Sequence, residues 1–76
     1  MKVRVSYITI VEEVVEIDEK FHRLTESGGW NELSSKERKV LTNEFLKEIV
    51  NETNADYQDS ITCVEEDSTG ELMYES

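Results

Sequence analysis

Cysteine, proline, histidine and positive charge are all scarce in this chain, and each scarcity removes a class of protein. Cys63 is the only cysteine among 76 residues, so neither an intrachain disulfide nor a metal–thiolate cluster can form. A lone cysteine in an alternating segment reads as a small core residue and fits a reduced, cytoplasmic compartment. No proline occurs, and the three glycines sit only at apparent turns. No run of about twenty apolar residues exists, so a membrane-spanning helix is not expected. The opening MKVRVSYITI alternates apolar with polar residues, and reads as a strand rather than a signal peptide.

Bases are outnumbered: eight Lys and Arg stand against 18 Asp and Glu, a formal charge of −10. Phosphate contacts need Lys and Arg, so direct binding of nucleic acid or of an anionic membrane is not expected. The imbalance is concentrated late in the chain. Residues 44–76 carry ten acids against one base, Lys47.

Catalytic patterns are missing as well. His22 stands beside Arg23 with no serine or cysteine constellation near it, and reads as a surface or boundary residue. Gly28-Gly29 reads as a helix stop, because neither GxGxxG nor GxxxxGK[ST] surrounds it. Asp67-Ser68-Thr69-Gly70-Glu71 lacks the acid and glycine positions of an EF-hand loop and reads as a turn. Carboxylates are plentiful, but acid–base chemistry needs a desolvating pocket that a thin core offers little room for. The Asn51-Glu52-Thr53 sequon lies within a predicted helix and reads as accidental. No enzyme, cofactor or metal site is expected.

What is present is one well-signalled long helix, predicted over 35–52. Leu41, Phe45 and Ile49 recur every four residues and, with Leu46, Val50 and Thr53, fill one apolar arc. Ser34 with Glu37 reads as a capping box. Glu44, Glu48 and Glu52 follow one flank and Asp56 continues the step, while Lys36, Lys39 and Lys47 follow the other. The two like-charge pairs, Glu44–Glu48 and Glu48–Glu52, each disfavour an isolated helix by roughly 0.2–0.5 kcal/mol.

Around it, residues 2–17 alternate, with Val3, Val5, Tyr7, Val11, Val15 and Ile17 on one parity. One long strand bent near 11–13, or a hairpin turning there with Ile8 and Ile10 covered on the second face, both fit. Strand length favours two strands, 2–10 and 13–17. Asp18 caps a short helix over 19–26, with Gly28 as its left-handed stop, and Trp30 and Leu33 anchor the connector that follows. Strands 60–66 and 71–75 form a second hairpin, with Gly70 in a left-handed turn position.

The expected fold is α+β: a small antiparallel or mixed sheet, with the short and long helices packed on one face and a β-grasp-like arrangement as the alternative. The expected function is that of a small protein-binding module. It would be an inhibitor that mimics nucleic acid and occupies the basic, nucleic-acid-binding surface of a partner, of the size and charge of inhibitors that phages and mobile elements encode. The candidate contact residues are Glu12, Glu13, Glu16, Glu44, Glu48, Glu52, Asp56, Glu65, Glu66 and Asp67. The alternative is an assembly module that forms a homo-oligomer through a sheet edge or a Trp30 patch.

Overall fold

In the computed structural model, which describes residues 1–8 and 11–76, the elements run β1 (Lys2–Tyr7), β2 (Val11–Glu16), α1 (Ser35–Glu52), β3 (Ile61–Glu66) and β4 (Leu72–Glu75). Short 3-10 helices at Glu19–Leu24, Trp30–Glu32 and Gln58–Ser60 sit in the connections. The strands form one sheet in the order β2-β1-β3-β4, antiparallel at every pairing. This is an α+β arrangement. A β-grasp-like sheet would need a parallel pair at its centre, and the central β1–β3 pair is antiparallel.

The N-terminal segment is a hairpin, with Lys2 opposite Glu16 and Tyr7 opposite Val11. Its reversal comes earlier than 11–13, because Ile8 leaves β1 in the left-handed region, at φ 52°. The odd-parity residues still share one face: Val3, Val5 and Tyr7 are buried there, and Val11 and Val15 pack partly against them. Ile8, expected under cover, is 52% exposed. Phe45, Leu46 and Ile49 of α1 pack against the Val3, Val5 and Tyr7 face, and Ile8 is a turn residue outside that core. The same expectation for Ile10 lies outside the described residues.

Chain direction explains the path of α1. β2 ends beside Lys2, whereas β3 must begin beside Tyr7. The connection therefore has to travel the full length of the sheet. Eighteen helical residues, at about 1.5 Å each, span roughly 27 Å and exceed a six-residue strand of about 20 Å. The capping box forms as expected: Glu37 N–H donates to Ser34 Oγ at 3.1 Å, and Ser34 N–H donates to Glu37 Oε1 at 3.0 Å. Phe45, Leu46 and Ile49 are the helix residues that become buried. Phe21 meets Phe45 edge to face with centroids 5.4 Å apart, a pair that adds about 0.5–1.5 kcal/mol to its burial.

Between β2 and α1 the expected helix over 19–26 is a 3-10 helix that stops at Leu24. Thr25 ends it. Its backbone N–H and its hydroxyl both donate to His22 O, at 3.0 and 2.7 Å, and its buried Oγ1 accepts from Gly28 N at 2.9 Å. Gly28 is not the left-handed stop; that residue is Gly29, at φ 104°. Gly28 is required for a different reason. A Cβ there would lie 1.9 Å from His22 O. Leu33 is buried, while Trp30 packs on the core and remains half-exposed. The Arg38 guanidinium lies 4.8 Å from the Trp30 ring centroid, and Arg38 Nε donates to Trp30 O at 3.1 Å.

One phase shift in the sheet moves a residue from where alternation placed it. Ile61 and Val64 are both buried on the helix side, because Thr62 is an extra residue opposite the Ser6–Tyr7 step. The bulge turns Cys63 away from the core onto the helix-free face, where it is half-exposed. Gly70 takes the left-handed turn position at φ 75°, and its N–H donates to Glu66 O at 2.8 Å.

Candidate protein-binding surface

The structure separates the acids that hold the fold from those that do not. Of the 18 acids, nine make a hydrogen bond or an ion pair with another described residue: Glu13, Glu16, Asp18, Glu19, Glu37, Glu44, Glu66, Asp67 and Glu71. Those without such a contact among the described residues include Glu12, Glu48, Glu52, Asp56, Glu65 and Glu75. This division splits the ten candidate contact residues.

Glu13 and Glu66 face the helix-covered side of the sheet. Glu13 accepts a hydrogen bond from the Tyr7 phenol, and at 2.6 Å from Asn54 Nδ2. The Tyr7 bond and then the Asn54 bond hold its carboxyl below the usual carboxylate range, while the same bond raises the Tyr7 phenol. Glu66 accepts from the Ser68 and Thr69 hydroxyls and lies 3.4 Å from His22 Nδ1, with its side chain only 13% exposed. These two carboxylates brace the structure and are poorly placed to meet a partner. Glu44 also has a local partner, Lys20 Nζ at 3.3 Å.

A second group lies on the helix-free face of the sheet. Lys2 and Arg4 occupy the centre of this face, with Glu16, Val14 and Glu12 beside them on β2 and Glu65 and Cys63 on β3. Leu72 and Glu75 complete it on β4, opposite Glu65 and Cys63. Two bases thus stand amid four acids, so the face is of mixed charge. Glu16 is also engaged by the Met1 ammonium at 3.0 Å, and Asp67, at the adjoining turn, lies 4.0 Å from Arg4 Nε. Burial, followed by Glu65 and Glu75, raises the Cys63 thiol above its ordinary pKa.

The third group is of a single sign. Glu48, Glu52 and Asp56 cluster in sequence where α1 ends, and no basic residue lies in the last helical turn. A helix C-terminus already carries about half a negative charge, so acids placed there oppose helix stability. Asp56 lies in the loop beyond α1, and Glu44 is paired with Lys20, so of the expected Glu44-Glu48-Glu52 stripe Glu48 and Glu52 stand without a partner among the described residues. Asp56 and Asp59, with Tyr57, Lys47 and Val50, line an open groove of about 610 Å³. Tyr57 is 61% exposed there. Neither Tyr57 nor Asp59 is among the expected contact residues; the signal in the sequence is an aromatic residue alone among polar ones.

Among the described residues, no three His, Cys, Asp or Glu side chains converge as a metal centre would require. Among the described residues no helix is long and apolar enough to cross a membrane. Comparison with known proteins finds no matching family model, no matching curated protein and no matching solved structure.

Proposed function

We propose that the chain is a small protein-binding module whose acidic helix end docks on a basic, nucleic-acid-binding surface of a partner and blocks it. The observation that supports this reading is the uncompensated charge at the end of α1. Glu48, Glu52 and Asp56 have no ion-pair partner among the described residues, and the helix terminus they surround has the same sign. Folding would be served better by lysine at those positions. Acids kept against local stability are expected where a partner supplies the missing cations.

The spacing fits the class of site. Carboxylates four residues apart on a helix are separated by about 6 Å along its axis, close to the separation of successive phosphates on one DNA strand. The groove that Asp56 lines adds an exposed aromatic ring, Tyr57, over which an arginine side chain can stack. An inhibitor of this type would act in the cytoplasm on a nucleic-acid-binding protein, and a phage or mobile element is a natural source for one.

The test is affinity capture from lysate with the wild-type chain and with the triple variant Glu48→Gln, Glu52→Gln, Asp56→Asn. The reading expects the wild-type bait to retain a nucleic-acid-binding protein that high salt or added duplex DNA releases, and the triple variant to lose it. Equal retention of that protein by both baits would refute the role of the helix end.

A further inference from the structure

The sheet ends at β4, which among the described residues pairs only with β3. An edge strand presents backbone N–H and C=O groups that another strand can pair with. Alongside this edge runs an open groove of about 420 Å³. Met73 and Tyr74 of β4 line one side, and Leu24, Trp30 and Thr42 line the other. Trp30 and Tyr74 each pack on the core and remain half-exposed, and Leu72 on the same strand is 49% exposed. A pairing edge and an apolar, aromatic groove therefore lie side by side.

The charge of the lining is one-sided. Among the described residues, Glu26 and Glu75 are its only ionisable acids or bases besides the Tyr74 phenol. Both are exposed, and neither side chain makes an ion pair or hydrogen bond with a described residue. A second copy of this chain is a poor occupant, because pairing β4 with β4 would gather the same acids from two chains of charge −10 into one seam. A segment carrying Lys or Arg meets no such opposition.

We propose that this groove binds one extended, cationic segment of a partner protein, which pairs with β4 as a fifth strand. Side chains of an added strand alternate in direction. One set, apolar or aromatic, enters the groove between Trp30 and Tyr74; the other carries the basic groups that reach Glu75, and Glu26 is met at the groove's rim. Main-chain pairing supplies affinity and the groove supplies selection, as in other cases of strand addition. This surface shares no lining residue with the groove at the end of α1, so the inference stands apart from the function proposed above.

Trp30 is the only tryptophan, which makes its fluorescence a direct reporter. The probes are three capped heptapeptides: the alternating Lys-Val-Lys-Phe-Lys-Val-Lys, its Glu-for-Lys counterpart, and a scrambled Lys-Lys-Lys-Lys-Val-Val-Phe of identical composition. The alternating cationic peptide should shift Trp30 emission and slow amide exchange at Leu72–Glu75. The scrambled peptide should bind at least about tenfold more weakly, a difference of about 1.4 kcal/mol. The Glu26→Lys, Glu75→Lys double variant, checked for an unchanged thermal melt, should lose binding by a similar factor. The Glu48→Gln, Glu52→Gln, Asp56→Asn variant should retain it, which separates failure here from failure of the helix-end reading. Equal binding of alternating and scrambled peptides would overturn the proposal. So would protection of the β4 amides that rises with protein concentration in the absence of peptide, because a second copy would then be the occupant.

Discussion

The Tyr7 phenol on β1 donates to the Glu13 carboxylate on β2, and Asn54, just beyond α1, donates to the same oxygen. One carboxylate thereby fastens the first hairpin to the end of the helix that crosses it. The sign of its pH dependence follows. Because Glu13 titrates lower folded than unfolded, its contribution is present above the ordinary carboxylate range and disappears as pH falls through the lowered folded value. Glu71, held down by Ser27, and Glu37, held down by Ser34, act in the same direction. Thermal melts across the acid range should show a Tm that declines as these groups protonate, and Glu13→Gln should flatten that decline. An acid limb of equal slope in the variant would remove Glu13 from the account.

Alkaline behaviour is set by the partner group. Tyr7 titrates higher folded than unfolded, so its contribution persists below the ordinary tyrosine pKa of 10.0 and is lost as pH rises through the raised folded value. Tyr7→Phe should lower Tm at neutral pH and lose part of the alkaline decline. Spectrophotometric titration at 295 nm should show one of the three tyrosines ionising late.

Ile8 is a β-branched residue at φ 52° with its side chain 52% exposed. The left-handed conformation costs such a residue about 1–2 kcal/mol, and asparagine tolerates it far better. Ile8→Asn should therefore stabilise the protein by about 1 kcal/mol, raising Tm by roughly 4–8 °C. A fall in Tm would mean that the isoleucine side chain contributes more through packing than its conformation costs.

Two glycines should respond very differently to alanine. At Gly28 the added methyl would sit 1.9 Å from His22 O, so the backbone must move; a loss of about 3 kcal/mol is expected. At Gly70 no atom lies within 4 Å, and only the left-handed φ opposes the change, for about 1–2 kcal/mol. Denaturant titrations of the two variants should reproduce that order.

Relieving the charge at the end of α1 should strengthen the fold while it weakens the proposed partner contact. Glu48→Gln with Glu52→Gln removes both like-charge pairs, Glu44–Glu48 and Glu48–Glu52, and the unfavourable interaction of Glu52 with the helix terminus, for a gain of about 1 kcal/mol. Higher Tm together with lost capture is the combined signature expected of a functional acidic surface. Lower Tm would indicate that the glutamates stabilise the fold after all.

The parts of this fold that periodicity governs were legible in the sequence. The limits of α1 and its capping box follow from a four-residue apolar step preceded by Ser34 and followed at N3 by Glu37. The C-terminal hairpin follows from alternation and Gly70 from its place in a turn, whereas at 2–17 alternation fits one long bent strand as well as a hairpin, and strand length alone favours two strands. Features that depend on one extra residue or one backbone angle were not legible. Ile8 ends β1 through a conformation that isoleucine disfavours, so no propensity announces it. The bulge at Thr62 reverses the face of Cys63, although Ile61-Thr62-Cys63-Val64 looks like regular alternation. The candidate surface was visible only as a count of acids. That Glu13, Glu44 and Glu66 are engaged while Glu48 and Glu52 have no partner among the described residues depends on which face each strand turns to the helix, and on the Asn54, Lys20 and His22 contacts that folding creates.

The sheet order also determines when the domain can be completed. Its two central strands, β1 and β3, are joined only after α1 has been laid between them, and their paired residues lie 54 to 63 positions apart. Closing so long a loop is slow compared with local pairing. On a ribosome, the first hairpin and the helix emerge well before the strand that covers the exposed side of β1. Until then β1 is an unprotected edge bearing Val3, Val5 and Tyr7, open to pairing with another nascent chain. A chain stopped before Ile61 should therefore aggregate rather than persist as a smaller folded unit.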